Sequence, residues 1–186
     1  MGIVLAFAPF IAFALIDSVV GSTPGLIAGA LVSAALLLRD VSASKKPKVL
    51  EIGTMLLFGA LALYSVAANP TWSIVGVRLR VDAGLLAIVL ASIALRLPFT
   101  LQYARERVPA ALWGSSQFKR VNYVITAAWA LAFVIMVGAD LVLLYAPDVP
   151  TRVGVIATIL ALGGAIKFTS WYPERARATL ADDRAG

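Results

Sequence analysis

Six long runs of apolar residues, separated by short polar stretches, constrain this chain more than any other feature. A helix needs roughly 20 apolar residues to cross the hydrocarbon layer of a membrane. Hydrophobic residues make up 61% of the chain and charged residues only 14%, so a water-soluble fold would expose large apolar patches. The sequence therefore predicts an all-α, polytopic transmembrane helical bundle of six spans paired as three hairpins. The predicted spans cover residues 1–16, 24–38, 49–68, 82–102, 121–145 and 152–172.

Prolines and polar residues mark the expected ends of these spans. Pro9 should kink the first helix, Asn69 with Pro70 should stop the third, and Pro173 should stop the sixth. Residues 71–81 are too few to span and too apolar for a free loop, which predicts an interfacial or re-entrant segment. The remaining prediction is one transmembrane domain over residues 1–173, followed by a polar cytoplasmic tail over 174–186.

The basic residues fall mostly on one side of the predicted spans. Lysine and arginine are enriched in cytoplasmic loops, so both termini should lie on the cytoplasmic side of the membrane. The chain has a net charge of +6, and its basic residues flank apolar runs. This arrangement favours anionic lipids and not nucleic acid as the partner. The cytoplasmic side would hold Arg39, Lys45, Lys46, Lys48, Arg105, Arg107, Lys119, Arg120, Arg175, Arg177 and Arg184, and the other side only Arg78, Arg80 and Arg152.

Small residues recur at every fourth position of the second span, at Gly21, Gly25, Gly29 and Ser33. This spacing lets two helix backbones approach closely. We favour packing within one chain, and an interface between copies in a homo-oligomer is the alternative.

Four polar residues should lie near the inner membrane boundary, namely Glu51, Arg96, Asn122 and Lys167. Charge at membrane depth is costly, so we expect Glu51 to pair with Arg96 or Lys167. Such a cluster could tie helices together or bind a substrate, and the sequence favours neither. The stripe that contains Asn122 repeats at helical spacing and should face the bundle interior. The stripe comprises Asn122, Thr126, Trp129, Phe133, Met136 and Asp140, and a second one in the fourth span comprises Ser92, Arg96, Phe99, Tyr103 and Glu106.

The residue inventory argues against catalysis. Cysteine and histidine are absent, which excludes thiolate chemistry, imidazole metal sites and the commonest general base. No zinc-protease, nucleophile-elbow or phosphate-loop motif occurs. We therefore predict no catalytic residue, no metal and no cofactor.

The layout resembles the intracellular septation protein A family of small bacterial inner-membrane proteins. A proline-containing first helix (FAPFIAFALID) precedes a small-residue helix, and Trp72 precedes the fourth span. A loop then leads into Trp113, Phe118, Asn122 and Trp129. The resemblance implies a non-catalytic role in envelope maintenance and septation, through partner membrane proteins or lipids.

The contact surface for such partners should be the largest cytoplasmic loop. A small oligomeric transporter or channel with an inner polar vestibule is the alternative function, and a lipid-modifying enzyme ranks third. The predicted contact residues are Tyr103, Arg105, Glu106, Arg107, Trp113, Phe118, Lys119 and Arg120.

Overall fold

The computed structural model describes residues 5–146 and 148–182, with side chains through residue 176, and these ranges contain helices and no strand. The side chain of Arg177, the residue Arg184 and the start of the first span lie outside what is described. The chain divides into two compact units between Ser92 and Ile93. The α-helices are α1 (Ala8–Val19), α2 (Ser22–Ser42), α3 (Val49–Ala68), α4 (Ile74–Ala94), α5 (Phe99–Arg105), α6 (Ser116–Tyr145) and α7 (Thr151–Asp182), with a 3₁₀ turn at Ala110–Leu112.

Four helices, α2, α3, α6 and α7, are long and apolar enough to cross a membrane. A fifth span would be formed by α4 and α5 together, which are separated by a short break. The outward faces of the candidate spanning helices are apolar. In α7, for example, the exposed fractions are 54% for Ile156, 64% for Ile159 and 69% for Leu160. Exposed apolar rows of this kind fit a lipid environment. The helical class of the prediction is thus confirmed, whereas α1, with 12 residues, is shorter than a span.

The first unit is built around Phe58 of α3, which is fully buried. Its ring contacts Phe10 and Phe13 of α1, at centroid distances of 5.0 and 5.8 Å. Gly29 of α2 makes room for the same ring, because a Cβ added there would lie 2.6 Å from it. Three helices therefore meet on one aromatic side chain.

The small-residue stripe of α2 faces this interior. Gly25 lies against α1, since an added Cβ would come within 3.0 Å of the Asp17 backbone nitrogen. Gly29 and Ser33 are buried, and the Ser33 hydroxyl donates to the Gly29 carbonyl. Gly21 has a φ of +117° at the start of α2, a conformation that favours glycine. Gly25, Gly29 and Ser33 thus pack within the chain, whereas Gly21 provides the backbone turn before α2.

Several predicted helix ends are wrong. Pro9 lies in the first turn of α1, and a turn at Phe7 separates α1 from the helical residues Leu5 and Ala6, so the helical run is interrupted just before this proline. The α1–α2 turn is confined to Val20 and Gly21, so Asp17 is buried inside α1 and accepts a 2.6 Å hydrogen bond from Ser22. The third span is confirmed at both ends, with Asn69 in the left-handed conformation after Ala68.

Residues 71–81 do not form a separate interfacial or re-entrant element. The Ser73 hydroxyl accepts a hydrogen bond from the Gly76 backbone N–H, as a helix-capping residue does, and α4 runs on from Ile74. The interruption lies later, between Ala94 and Phe99, where Arg96 has a φ of +58° and Pro98 follows. The predicted fourth-span stripe is consequently split: Ser92, Phe99 and Tyr103 are buried, whereas Arg96 and Glu106 are exposed.

In the second unit α6 packs against α7, and α5 packs against α6. The predicted interior stripe of α6 is confirmed, because all six of its residues, from Asn122 to Asp140, are buried. The Ser115 hydroxyl accepts from the Phe118 N–H, so α6 begins five residues earlier than the predicted span. Pro173 does not end α7, which continues to Asp182 and passes the predicted start of the tail.

Gly29→Ala should destabilise the first unit by about 2 kcal/mol, because the new methyl group overlaps the buried Phe58 ring. Gly59→Ala is the matched control, since a Cβ there meets nothing within 4 Å and alanine favours the helix. Thermal unfolding of the purified protein in detergent measures both. Equal midpoints for the two variants would contradict the packing described here.

Candidate functional site

Three buried ionic residues of the first unit form linked ion pairs and are here named the buried charge cluster: Asp40, Lys48 and Glu51. The Lys48 ammonium lies 2.8 Å from Asp40 Oδ2 and 3.0 Å from Glu51 Oε1. Asp40, Lys48 and Glu51 are 2%, 5% and 7% exposed. One buried ammonium thus serves two buried carboxylates.

Local structure explains why these residues meet. Asp40 lies in the last turn of α2, and Lys48 immediately precedes α3. Glu51 lies in the first turn of α3, where its Oε2 accepts from the Lys48 backbone N–H at 3.2 Å. A carboxylate near a helix N-terminus also benefits from the helix dipole. The cluster therefore closes the α2–α3 connection.

Arg39 completes the balance of charge. Its Nη2 and Nε donate to Asp40 Oδ1 at 2.7 and 3.0 Å, while its side chain stays half exposed. Two carboxylates then face two cations, so no net charge is buried. Burying ions is costly unless each is paired, and here the pairing ties α2 to α3.

This arrangement changes the interpretation of Glu51. The sequence indicates correctly that Glu51 is buried, but the structure gives it a local cation, Lys48, three residues earlier. Arg96 and Lys167 belong to the second unit. Their pairing with Glu51 stays a prediction.

The second unit does not gather the other members of the predicted polar cluster. Arg96 and Lys167 are exposed, whereas Asn122 is buried and donates to the Phe118 carbonyl at 2.8 Å. Within the part of the chain that the structure describes, no hydrogen bond or ion pair joins these three residues. The reason is local: the Asn122 amide is satisfied on its own helix, and Arg96 lies at the helix break.

Hydroxyl groups connect the helices of this unit instead. Thr100 of α5 donates to the Asn122 carbonyl at 2.8 Å and contacts the Thr126 hydroxyl at 2.7 Å. The Trp129 indole N–H donates to the Thr169 hydroxyl of α7 at 2.9 Å. Neutral hydrogen bonds between helices satisfy polar groups that lipid cannot, and none of these groups is arranged as a nucleophile with its base.

Most residues of the predicted contact loop lie together with the end of α7. Gln117, in the first turn of α6, donates to the Ala176 carbonyl at 3.2 Å, so this end of α6 adjoins the late part of α7. The Arg105 guanidinium lies 5.6 Å from the Trp113 ring, and Arg175 lies 5.6 Å from the Trp171 ring. We name this the aromatic-basic surface, and its exposed members are Arg107, Trp113, Lys119, Arg120, Trp171 and Arg175.

The remaining predicted loop residues take different positions. Glu106 is exposed, and Arg105 and Phe118 are half-buried. Tyr103 is 5% exposed, so its ring belongs to the interior of the second unit. Among the described residues, no group of acidic side chains has the arrangement to hold a metal ion.

Sequence reasoning missed the buried pairing of Asp40 with Lys48, because both residues fall in a stretch that resembles an ordinary polar loop. The Lys48–Glu51 spacing at the start of an apolar run is a helix-start signal that could have linked them. Sequence reasoning placed Arg175 on the cytoplasmic side but left Arg175 and Trp171 out of the predicted contact surface, since the predicted end of the sixth span separated these neighbouring residues.

Lys48→Met should destabilise the protein by about 3–5 kcal/mol, because it leaves two buried carboxylates without their ammonium. Lys46→Met, at an exposed position of the same loop, is the control and should change stability by less than about 0.5 kcal/mol. Unfolding in detergent followed by circular dichroism gives both values.

Adding Asp40→Asn and Glu51→Gln to Lys48→Met should restore much of the loss, since neutral groups of similar shape need no counter-ion. If Lys48→Met unfolds at the midpoint of Lys46→Met, the cluster does not hold α2 to α3.

Comparison with known protein families, curated proteins and solved structures gives no match to this chain. The resemblance to the septation family therefore stays a prediction that rests on the residues quoted for it.

Proposed function

We propose that this chain is a six-span protein of the bacterial inner membrane with both termini in the cytoplasm. Its function would be non-catalytic: the aromatic-basic surface binds anionic phospholipids and so anchors a role in envelope maintenance. The observation that carries the proposal is the pairing of two arginines with two tryptophans at one end of the second unit.

Charge at this surface favours an anionic partner. Five cations, Arg105, Arg107, Lys119, Arg120 and Arg175, accompany two carboxylates, Glu106 and Glu174. Each basic residue near an anionic membrane surface contributes about 1 kcal/mol to the attraction. Tryptophan prefers the headgroup level, where its ring is apolar and its N–H reaches polar groups.

Helix length supports the same placement. With 30 residues, α6 is roughly 45 Å long, whereas the hydrocarbon layer is about 30 Å thick. The first turns of α6, which carry Lys119 and Arg120, would then project among the headgroups. The apolar residues further along α6 would occupy the hydrocarbon layer.

The internal pairing of the buried charge cluster and the hydrogen bonds between the helices of the second unit support a non-catalytic role. In the first unit the buried charge cluster uses its ammonium and both carboxylates in internal ion pairs. In the second unit, the Thr100 hydroxyl and the Trp129 indole N–H bond to groups on neighbouring helices. An active site or transport path needs polar groups directed at a ligand, and these groups are directed at each other.

Cysteine labelling should place the α2–α3 connection inside the cell and the α3–α4 connection outside. The chain has no cysteine, so Lys46→Cys and Thr71→Cys each carry a single thiol, both at exposed positions. In intact cells a membrane-impermeant maleimide should label Thr71→Cys alone, and permeabilised cells should show both. The reverse pattern would exclude the proposed orientation.

Phosphatidylglycerol should gather at the aromatic-basic surface. A fluorophore on Ala111→Cys, in phosphatidylcholine nanodiscs, should be quenched by spin-labelled phosphatidylglycerol at a lower fraction than by equally labelled phosphatidylcholine. Lys119→Gln with Arg120→Gln should weaken this preference about tenfold, because two interfacial cations are lost.

Lys45→Gln with Lys46→Gln is the matched control for that measurement, since it removes two exposed cations from a different loop. Equal quenching by the two lipids would refute lipid binding here. Robust flux of an ion or metabolite in proteoliposomes would instead support the transporter.

A further inference from the structure

A second group of aromatic and basic side chains lies at the α3–α4 connection of the first unit, and the proposed function does not use it. The rings of Tyr64 and Trp72 are stacked, with centroids 5.2 Å apart and planes inclined by 13°. The Arg80 guanidinium carbon lies 4.2 Å from the centre of the Trp72 ring. We call these three residues the Tyr–Trp–Arg stack.

The stack fixes Arg80 in place. Trp72 packs partly buried against the Phe58 core, which gives the guanidinium a rigid ring to lie on. Arg80 Nη1 donates to the Gly76 carbonyl at 2.6 Å. Gly76 allows this approach, because a Cβ there would lie 3.2 Å from Nη1. A guanidinium held on an aromatic face loses little further freedom when it binds an anion.

Arg80 retains unused hydrogen-bonding capacity. Arginine has five N–H donors, and the Gly76 carbonyl is its hydrogen-bond acceptor here. Within residues 5–146 and 148–176 Arg80 makes no ion pair, although its side chain is exposed. A fixed cation with free donors and no carboxylate is a binding site for an external anion.

The surroundings identify the class of anion. Leu63 and Val66 of α3 and Ile74 of α4 are 71%, 62% and 61% exposed. Exposed apolar side chains on both helices indicate that lipid surrounds the stack. An anion that meets Arg80 at this boundary is therefore a lipid phosphate.

We propose that the Tyr–Trp–Arg stack binds the phosphate of an anionic phospholipid at the end of the first unit that carries the α3–α4 connection. Arg80 would donate to the phosphate oxygens, while Tyr64 and Trp72 lie beside the glycerol region. This site depends on the proposed membrane embedding but is independent of the aromatic-basic surface.

The test uses the full chain in phosphatidylcholine nanodiscs with a fluorophore on Thr71→Cys, next to Trp72. Spin-labelled phosphatidylglycerol should quench it at a lower fraction than spin-labelled phosphatidylcholine. Arg80→Gln should weaken this preference about tenfold, as expected for the loss of charge-assisted hydrogen bonds. Arg80→Lys keeps the charge but loses the flat, forked geometry, and it should give an intermediate value.

Arg152→Gln is the matched control, because it removes another exposed arginine, at the start of α7, and should leave the preference within twofold. Thermal midpoints show that each variant is folded. Equal quenching by the two lipids in the unmodified stack, or an unchanged preference in Arg80→Gln, would overturn the proposal.

Inorganic phosphate distinguishes a lipid site from a free-anion site. Millimolar phosphate should not displace the labelled lipid, because the apolar contacts belong to the lipid alone; displacement would overturn the assignment to lipid. The label on Ala111→Cys reports the aromatic-basic surface separately. If the label on Thr71→Cys shows no preference for phosphatidylglycerol while the label on Ala111→Cys does, this site is refuted and the proposed function still stands.

Discussion

The pairing of Lys48 with Asp40 and Glu51 is the interaction on which the first unit depends most. Lipid offers no hydrogen-bond partner, so any ion below the membrane surface must find its counter-charge within the protein. The cluster does this across the α2–α3 connection, with the Lys48 ammonium 2.8 Å from Asp40 and 3.0 Å from Glu51. A carboxylate from each helix shares one cation, so the connection cannot open without separating buried charges.

Van der Waals contact explains why the same helices carry glycine. Between helices in lipid the hydrophobic effect provides little attraction, and close approach of surfaces replaces it. Gly25 lets α2 approach the backbone of α1, and Gly29 admits the Phe58 ring of α3. The ion pairs fix one end of the α2–α3 hairpin and the aromatic contact fixes its middle. Polar and apolar contacts thus act at different depths of the same pair of helices.

The sequence predicts the apolar helices well because their composition alone decides that they are helical. Residues 49–68 are placed correctly at both ends, and α3 stops where Asn69 adopts the left-handed conformation before Pro70. Other ends are missed where a charged residue is satisfied by a distant partner: Asp40 continues α2 because Lys48 neutralises it. A hydropathy scale scores each residue without its partners, so it assigns a charged residue such as Asp40 to a loop. Pro173 fails for a related reason, because a long helix can lose one hydrogen bond and continue.

The candidate site is less predictable than the fold, because burial can be inferred from one residue but pairing requires two. Glu51 is correctly expected to be buried, and the structure pairs it with a cation only three residues away, Lys48. Arg96 and Arg80, unlike Glu51, are exposed, and hydropathy predicts neither position. Arg80 is recognised as a candidate anion-binding residue only from its contacts in the structure, the Trp72 ring and the Gly76 carbonyl. An arginine held in this way, beside exposed leucine, valine and isoleucine side chains, has N–H donors available for the lipid phosphate that we propose.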